Sequence, residues 1–281
     1  MKNAALKYEV KKPKARPFLK WVGGKRQLLP EIERLMPCKP EEINCYYEPF
    51  LGGGAVFFSF NFNKAVLADN NSDLINVYKT VQNNLNPLIK DLKKHKYEKE
   101  YYYGIRDCNL KNLSAVKKAS RLIYLNKTCY NGLYRVNSRG VFNVPFGSYK
   151  KPLICDEENL ILAKEKLKNA KIMCAEYHKT VKTARKNDFV YFDPPYEPIS
   201  SSSNFVSYVK EGFSSKDQEM LSETFKELTL KGVKCMLSNS NSSFVRKLYK
   251  GFNINKVKAA RFINSAASKR GKIEELIITN Y

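Results

Sequence analysis

Residues 187–198 of this 281-residue chain read NDFVYFDPPYEP. The apolar, aromatic run from Phe189 to Phe192 predicts a buried β-strand, and Asp193, two prolines and Tyr196 follow at its carboxyl end. A turn would explain the prolines, but neither the carboxylate before them nor the ring after them. The end of this strand is therefore predicted to be a functional site.

Other segments of the chain predict strands that alternate with helices. Apolar runs of strand length occur at 43–50, 64–70, 232–241, 252–262 and 272–281. Apolar residues at helical spacing occur at 25–37, 72–95 and 114–129. Ser72 is the predicted N-cap of the second of these helices, and SKDQ, residues 215–218, has the pattern of a capping box at the start of another. This alternation predicts an α/β fold with a mostly parallel sheet covered on both faces.

The sequence changes character between about residues 97 and 171. A helical segment is followed there by the turn-rich run YNGLYRVNSRGVFNVPFGSYKKP at 130–152. Because this stretch separates the first two strands from the strand that ends at Asp193, we predict a mainly helical domain inserted into the core. The predicted core is 1–80 with 172–281, including a basic arm at 1–15, and the predicted insert is 81–171.

The charge of the chain is strongly positive. Lysine and arginine number 50 against 27 aspartate and glutamate residues, a formal net charge of +23. Such a charge favours nucleic acid as a partner, although AT-rich codon usage would also enrich lysine.

Cysteine usage and hydropathy set further limits on location and chemistry. Seven scattered cysteines without a CxxC pair indicate reduced thiols in a cytoplasm, and with two histidines in no ligand pattern we predict no metal site. No apolar run reaches the ~20 residues of a membrane span, so we predict no membrane partner.

A glycine-rich loop follows the first predicted strand. The run EPFLGGGAVF, residues 48–57, is neither GxGxxG nor a Walker loop, but its glycines would let a ligand approach the backbone. The next strand ends at Asp69, 17 positions after Gly52, close to the usual distance for an acid that binds ribose hydroxyls. The pattern indicates a nucleoside-bearing cofactor, with a ligand-free glycine turn as the alternative.

The DPPY run suits an exocyclic amine of a nucleobase as substrate. The lone pair of such an amine is delocalised into the ring, so two fixed acceptors that bind its hydrogens would favour attack. The carboxylate of Asp193 and the carbonyl of Pro194 can be those acceptors, because the proline rings fix the backbone. Tyr196 offers a face on which a base taken out of its stack can lie.

Together these motifs resemble the Dam-type N6-adenine DNA methyltransferases, the D12 class. DPPY, EPFLGGGAVF and KWVGGK (residues 20–25) carry the resemblance, and their order matches the alpha group. The runs YNGLYRVN, FNVPFG and RGKIEELIITNY extend it over about residues 16–281. It implies a class I S-adenosylmethionine-dependent methyltransferase fold, a seven-stranded Rossmann-like sheet whose last strand, residues 273–281, is antiparallel.

The resemblance also implies site residues. The implied cofactor is S-adenosyl-L-methionine, and the residues implied to contact it are Trp21, Lys25, Glu48, Phe50, Gly52, Gly54, Asp69 and Asp193. The implied catalytic residues are Asp193, Pro194, Pro195 and Tyr196. The residues implied to contact DNA are Lys20, Tyr130, Asn131, Leu133, Arg135, Pro145 and Tyr149, with Arg135 in the role of guanine reader.

We therefore expect direct methyl transfer to N6 of a flipped adenine in double-stranded DNA, within GATC. We expect a monomer, with a restriction endonuclease as a separate possible counterpart. Residues 201–213 are a candidate lid, and Arg261, Lys269, Arg270 and Lys272 are candidate phosphate contacts. The alternatives are an N4-cytosine or RNA methyltransferase, a non-catalytic DNA-binding module and a nucleotide-dependent oxidoreductase.

Substitution of Cys38 and of Asp193 by alanine tests whether the methyl group is transferred directly, without a covalent intermediate. Cys38 follows a proline, as the nucleophile of C5-cytosine methyltransferases does, but it lies ahead of the glycine loop. Cys38→Ala should retain methyl transfer and Asp193→Ala should abolish it, as measured by incorporation of labelled methyl groups into DNA. The reverse result would contradict direct transfer.

Overall fold

A seven-stranded sheet forms the centre of the protein. The computed structural model describes residues 13–198, 213–260 and 272–281. The spatial order of the strands is β3-β2-β1-β4-β5-β7-β6. Their bounds are Tyr46–Glu48 (β1), Ala65–Asp69 (β2), Ala170–Cys174 (β3), Phe189–Phe192 (β4), Lys234–Ser240 (β5), Asn253–Ala260 (β6) and Lys272–Thr279 (β7).

The sheet is mostly parallel, as the sequence predicts. β1 to β5 pair in parallel, whereas β7 lies between β5 and β6 and is antiparallel to both. The strand order reverses at the β1–β4 pair, and open α/β sheets bind ligands at the carboxyl ends of strands beside such a reversal. The fold thus places DPPY at a favoured position for a site.

Ten α-helices surround the sheet in the described part of the chain. Their bounds are Leu29–Arg34 (α1), Ala55–Ser59 (α2), Ser72–Asn83 (α3), Leu85–Leu92 (α4), Lys99–Asp107 (α5), Ala115–Thr128 (α6), Glu157–Leu167 (α7), Tyr177–Val181 (α8), Ser215–Leu230 (α9) and Ser243–Leu248 (α10). None of these helices combines the length and apolarity needed to cross a bilayer.

Alternating side chains of β4 supply two separate cores. Phe189 and Tyr191 pack into the core that also contains α1, α3 and α4, whereas Val190 and Phe192 pack into the core beneath α9. All four are 0% exposed. Burial on both faces explains why this strand reads as a continuous apolar run rather than an alternating one.

Part of the segment between β2 and β3 packs into the main core, and part of it forms a smaller core of its own. Leu122 and Ile123 of α6 lie in the same cluster as residues of α3 and α4. Residues 129–146 form an irregular hairpin with antiparallel bridges between Cys129 and Phe146 and between Val136 and Phe142. This hairpin, α5 and α6 enclose a smaller cluster around Tyr102 and Tyr124. The predicted domain boundary at 171/172 lies inside β3. The sequence analysis did not predict this strand.

Two predicted helix N-caps are wrong by one residue. α3 is capped by Asn71, whose side chain accepts from the Leu74 N–H at 3.0 Å, and not by Ser72. The capping box of α9 consists of Ser214 and Asp217, not of residues 215–218. The helix predicted over 72–95 is also divided, because α3 ends at Asn83 and α4 starts at Leu85.

The corrected cap of α9 can be tested by substitution. Ser214→Ala should lower the free energy of unfolding by about 1 kcal/mol, because the Asp217 N–H loses its acceptor. Ser215→Ala is the matched control and should change it by less than about 0.5 kcal/mol. Urea unfolding of both variants measures the difference, and an equal loss in the two would contradict the assignment.

Candidate active site

Lys25 and Asp193 form an ion pair at the carboxyl end of β4. Lys25 Nζ lies 2.7 Å from Asp193 Oδ1, and the two side chains are 8% and 19% exposed. The ammonium also donates to the Gly23 carbonyl at 2.7 Å and lies 4.7 Å from the centre of the Tyr196 ring. The structure thus brings together three residues that the sequence analysis assigned to the site.

A second buried carboxylate, that of Glu48, lies at the end of the neighbouring strand β1. Its Oε2 accepts from the Tyr46 hydroxyl at 2.9 Å and from the Phe57 N–H at 3.2 Å. The pKa of Glu48 is raised to about 8, mainly by burial and also by the charge of Asp193, against the opposing effects of the two hydrogen bonds and of Lys25. Burial likewise raises the pKa of Asp193, again opposed by Lys25.

The glycine loop is connected to Asp69 by backbone hydrogen bonds. Gly52 N donates to Asp69 Oδ2 and Asn71 N donates to Oδ1, both at 3.0 Å. Gly54 has φ of 66°, a left-handed conformation that favours glycine, and a Cβ there would lie 2.9 Å from the Tyr78 hydroxyl oxygen. The loop therefore depends on glycine both for its conformation and for its packing.

Trp21 packs directly against this loop. A Cβ at Gly52 would lie 2.9 Å from Trp21 Cδ1. On its other side the indole stacks on Tyr134 of the hairpin, with ring centres 5.0 Å apart and planes at 27°. Trp21 thereby joins the glycine loop to the hairpin.

Phe50 packs against the core beneath α9. Its ring stacks on Tyr177 at 5.4 Å and meets Phe213 edge-on at 5.7 Å. These rings form an aromatic wall near the ends of β1 and β3. Of the predicted cofactor residues, Phe50 is the one that belongs to this wall rather than to the group around Lys25 and Trp21.

The predicted DNA-contacting residues form a second group, next to the first in space. Lys20 Nζ lies 3.3 Å from the Tyr149 hydroxyl and 4.4 Å from the centre of its ring. Asn126 connects Lys20 to the 130–132 turn, since its amide donates to the Lys20 and Gly132 carbonyls at 2.8 and 3.0 Å. Because Lys20 precedes Trp21, the two groups adjoin.

The hairpin presents the remaining members of that group. Tyr130 N donates to the Pro145 carbonyl at 2.9 Å, and the Tyr130 side chain is 54% exposed. Asn131 has φ of 53°, a left-handed conformation that interrupts the short 3₁₀ turn Tyr130–Gly132. Arg135 Nε donates to Asn143 Oδ1 at 2.7 Å and the residue is exposed, while Leu133 is half-buried.

Three residues absent from the sequence analysis hold the DPPY segment in place. Gln218 Nε2 donates to the Pro195 carbonyl at 2.9 Å, and Asn239 Oδ1 accepts from the Glu197 N–H at 3.2 Å. Glu275 Oε2 accepts from the Tyr196 hydroxyl at 2.9 Å. Gln218 and Asn239 are fully buried polar residues, but no sequence signal links residues so far apart.

The candidate lid and phosphate contacts cannot be placed in the same way. Residues 201–212 of the candidate lid lie outside the described residues, as do residues 1–12 of the basic arm. Arg261, Lys269 and Arg270 also lie outside them, and the side chain of Lys272 is not described. In the described part of the chain, no group of three His, Cys, Asp or Glu residues is arranged to hold a metal ion.

The family of the protein follows from its sequence matches. The model of the D12 class of N6 adenine-specific DNA methyltransferases matches residues 21–263. The chain belongs to this family. It is a DNA adenine-N6 methyltransferase, and the match spans all the motifs described above from Trp21 to the end of β6.

Relatives match this methyltransferase over nearly its whole length. Type II methyltransferase M1.LlaDCHI of Lactococcus lactis subsp. cremoris is 50% identical, with 95% of each chain covered. Type II methyltransferase M.MjaIII of Methanocaldococcus jannaschii is 46% identical, covering 95% of this chain and 99% of the relative. A DNA adenine methylase of Vibrio cholerae is 38% identical, covering 94% and 95%.

The raised pKa of Glu48 predicts how stability depends on pH. As pH rises above about 4.5, the unfolded chain releases the Glu48 proton while the folded protein keeps it until about pH 8, so stability falls across this window. Glu48→Gln cannot ionise and should be more stable than wild type at pH 8.5, by on the order of 1–3 kcal/mol, and similar at pH 5.

Denaturant unfolding at both pH values measures this effect. The matched control is Glu33→Gln on the exposed side of α1, whose free energy of unfolding should equal that of wild type at both pH values. A Glu48→Gln variant that is equally or less stable than wild type at pH 8.5 would show that Glu48 is readily ionised in the folded protein.

Proposed function

We propose that this methyltransferase transfers a methyl group from S-adenosylmethionine to N6 of an adenine flipped out of double-stranded DNA, within GATC. The observation that carries the proposal is the state of the acceptors at the end of β4. Lys25 binds Asp193 Oδ1, whereas Asp193 Oδ2 and the Pro194 carbonyl accept no hydrogen bond from the described residues. Two acceptors are thus available for the two hydrogens of an exocyclic amine.

The chain's own residues fit the cofactor. Both oxygens of Asp69 are oriented by backbone N–H groups, which suits a carboxylate that binds ribose hydroxyls. The glycine loop and Trp21 border the same region, and Lys25 can bind a carboxylate there. Phe50 and its aromatic wall suit a purine ring. When bound, S-adenosylmethionine supplies a methyl group on a positively charged sulfur.

The proposed step is a direct transfer. Asp193 and the Pro194 carbonyl would orient the N6 lone pair. The N6–CH3 bond would form as the S–CH3 bond breaks, the sulfur would leave as a neutral thioether, and the extra N6 proton would pass to water. Hydrogen bonding by the two acceptors favours the pyramidal nitrogen that attack needs. The ring of Tyr196 stacks on the extruded base, because a base must leave the duplex before the enzyme can reach it.

Recognition of GATC is assigned to the group around the hairpin. Arg135 is exposed and its guanidinium is oriented by Asn143, an arrangement that suits a bidentate contact to guanine O6 and N7. Lys20, Leu133, Pro145 and Tyr149 contact neighbouring bases, and Tyr130 and Asn131 lie near the gap left by the adenine. The formal charge of +23 supports the affinity for the DNA backbone.

The wider assignments are part of the same proposal. The segment 81–171 provides the recognition unit and the rest of the chain provides the methyl-transfer unit. The enzyme acts as a monomer, and a restriction endonuclease of the same specificity would be a separate protein.

Product analysis tests the proposed reaction. Unmethylated duplex DNA is incubated with the enzyme and methyl-labelled S-adenosylmethionine, then digested to nucleosides. We expect all label in N6-methyldeoxyadenosine, because the acceptors at DPPY suit that amine. Label in N4-methyldeoxycytidine, or in RNA but not DNA, would contradict the assignment, and Asp193→Ala serves as the inactive control.

Site specificity is tested on short duplexes. One carries a single GATC and its matched partner differs by one base within the site. An endonuclease blocked by adenine methylation at GATC should fail to cut the treated first duplex. Continued cutting alongside methyl incorporation would show that the enzyme recognises another sequence.

A further inference from the structure

The hydrogen bond between Tyr196 and Glu275 joins the DPPY segment to a strand from the far end of the chain. Tyr196 lies just beyond the two prolines, and its hydroxyl donates to Glu275 Oε2 at 2.9 Å. Burial raises the pKa of Tyr196 well above its ordinary value, so the phenol remains a donor. No other described residue accepts from this hydroxyl or donates to this carboxylate.

Glu275 stands on one of the most firmly held strands of the sheet. β7 lies between β5 and β6, and Glu275 is in register with Ser240 on one side and Val257 on the other. The carboxylate is therefore fixed by backbone pairing on both sides, whereas the Tyr196 ring lies in a loop. The hydrogen bond therefore restrains the Tyr196 ring relative to the sheet.

The charge of Glu275 argues against a purely stabilising role. Burial is the main cause that raises the pKa of Asp193, and the charge of Glu275 adds to it, an unfavourable interaction between like charges. A neutral acceptor would hold the phenol without that repulsion. A charged acceptor forms the stronger hydrogen bond, which favours precise orientation of the ring over net stability.

The other two hydrogen bonds to this segment hold its backbone and do not involve the Tyr196 side chain. Gln218 binds the Pro195 carbonyl and Asn239 binds the Glu197 N–H, so both hold backbone. Neither contact engages Asp193 Oδ2 or the Pro194 carbonyl. Of these three contacts, only that of Glu275 acts on the ring itself.

We propose that Glu275 is a positioning residue for methyl transfer, whose carboxylate fixes the Tyr196 ring in the orientation on which the extruded adenine stacks. This inference rests on the proposed function. Without the hydrogen bond the ring can turn about its side-chain bonds, and the base then lies less often in line with the methyl donor. The effect is on the rate of the chemical step rather than on DNA binding.

The test compares Glu275→Ala, Glu275→Gln, Tyr196→Phe and the double variant Tyr196→Phe/Glu275→Ala. The matched control is Glu274→Ala, since Glu274 is the adjacent acid, is exposed, and binds Asn241 and Lys256 instead. Single-turnover methyl transfer is measured on duplex DNA at saturation, and the dissociation constant for DNA is measured separately.

We expect Glu275→Ala and Tyr196→Phe each to slow single-turnover transfer about tenfold, with DNA affinity unchanged. The double variant should be no slower than either single one, because both substitutions remove the same hydrogen bond. Glu275→Gln should be slower than wild type by no more than about threefold, since its carbonyl oxygen still accepts but forms a weaker hydrogen bond than a carboxylate. Glu274→Ala should stay within about twofold of wild type.

Three results would overturn the inference: a wild-type rate in Glu275→Ala, effects that multiply in the double variant, or a Gln variant as slow as the Ala variant. If Glu275→Ala does not fold, as judged by thermal unfolding, Tyr196→Phe decides alone, because it removes only the hydroxyl. A wild-type enzyme that methylates no adenine would refute the proposed function, whereas an active wild type with unaffected variants would refute this inference alone.

Discussion

The ion pair between Lys25 and Asp193 is the interaction on which the arrangement of the site depends. It joins the N-terminal segment to the end of β4, and its charge also acts on the buried Glu48. Removing two charges from water is expensive, and the short contact with its additional bond to the Gly23 carbonyl offsets part of that expense. Loss of the ammonium would leave Asp193 as a largely buried carboxylate without a countercharge, so the pair defines the local geometry of the site more than it stabilises the fold.

The sequence was sufficient to predict the strands that carry the site and their position in an α/β sheet. The apolar run before Asp193 and the glycine loop after β1 are local signals, and the parallel sheet follows from their alternation with helices. The antiparallel β7 was implied by family resemblance and is confirmed by its pairing with β5 and β6. These features could be predicted because each depends on a pattern of about ten consecutive residues.

The features that were missed depend on residues far apart in the chain. Glu275 meets Tyr196 across 79 positions, and Gln218 meets Asn239 across 21. Only the sheet topology brings them together, and buried polar residues of this kind look like ordinary strand or helix positions in sequence. The one-residue errors at Asn71 and Ser214 have another cause: asparagine, aspartate and serine cap helices about equally well, so a run of them does not identify the first helical turn. The two-domain division likewise remains a prediction, because Leu122 and Ile123 of α6 share a core with α3 and α4.

The adjacency of β1 and β4 has a consequence for how the chain folds. Tyr46 is in register with Phe189, so pairing of β1 with β4 closes a loop of about half the chain. Closure of so long a loop is slow compared with the pairing of β6 and β7, which are close in sequence. Until β1 and β4 pair, the apolar segment of β4 lacks its central neighbour, and an unpaired apolar strand is prone to aggregate with other chains.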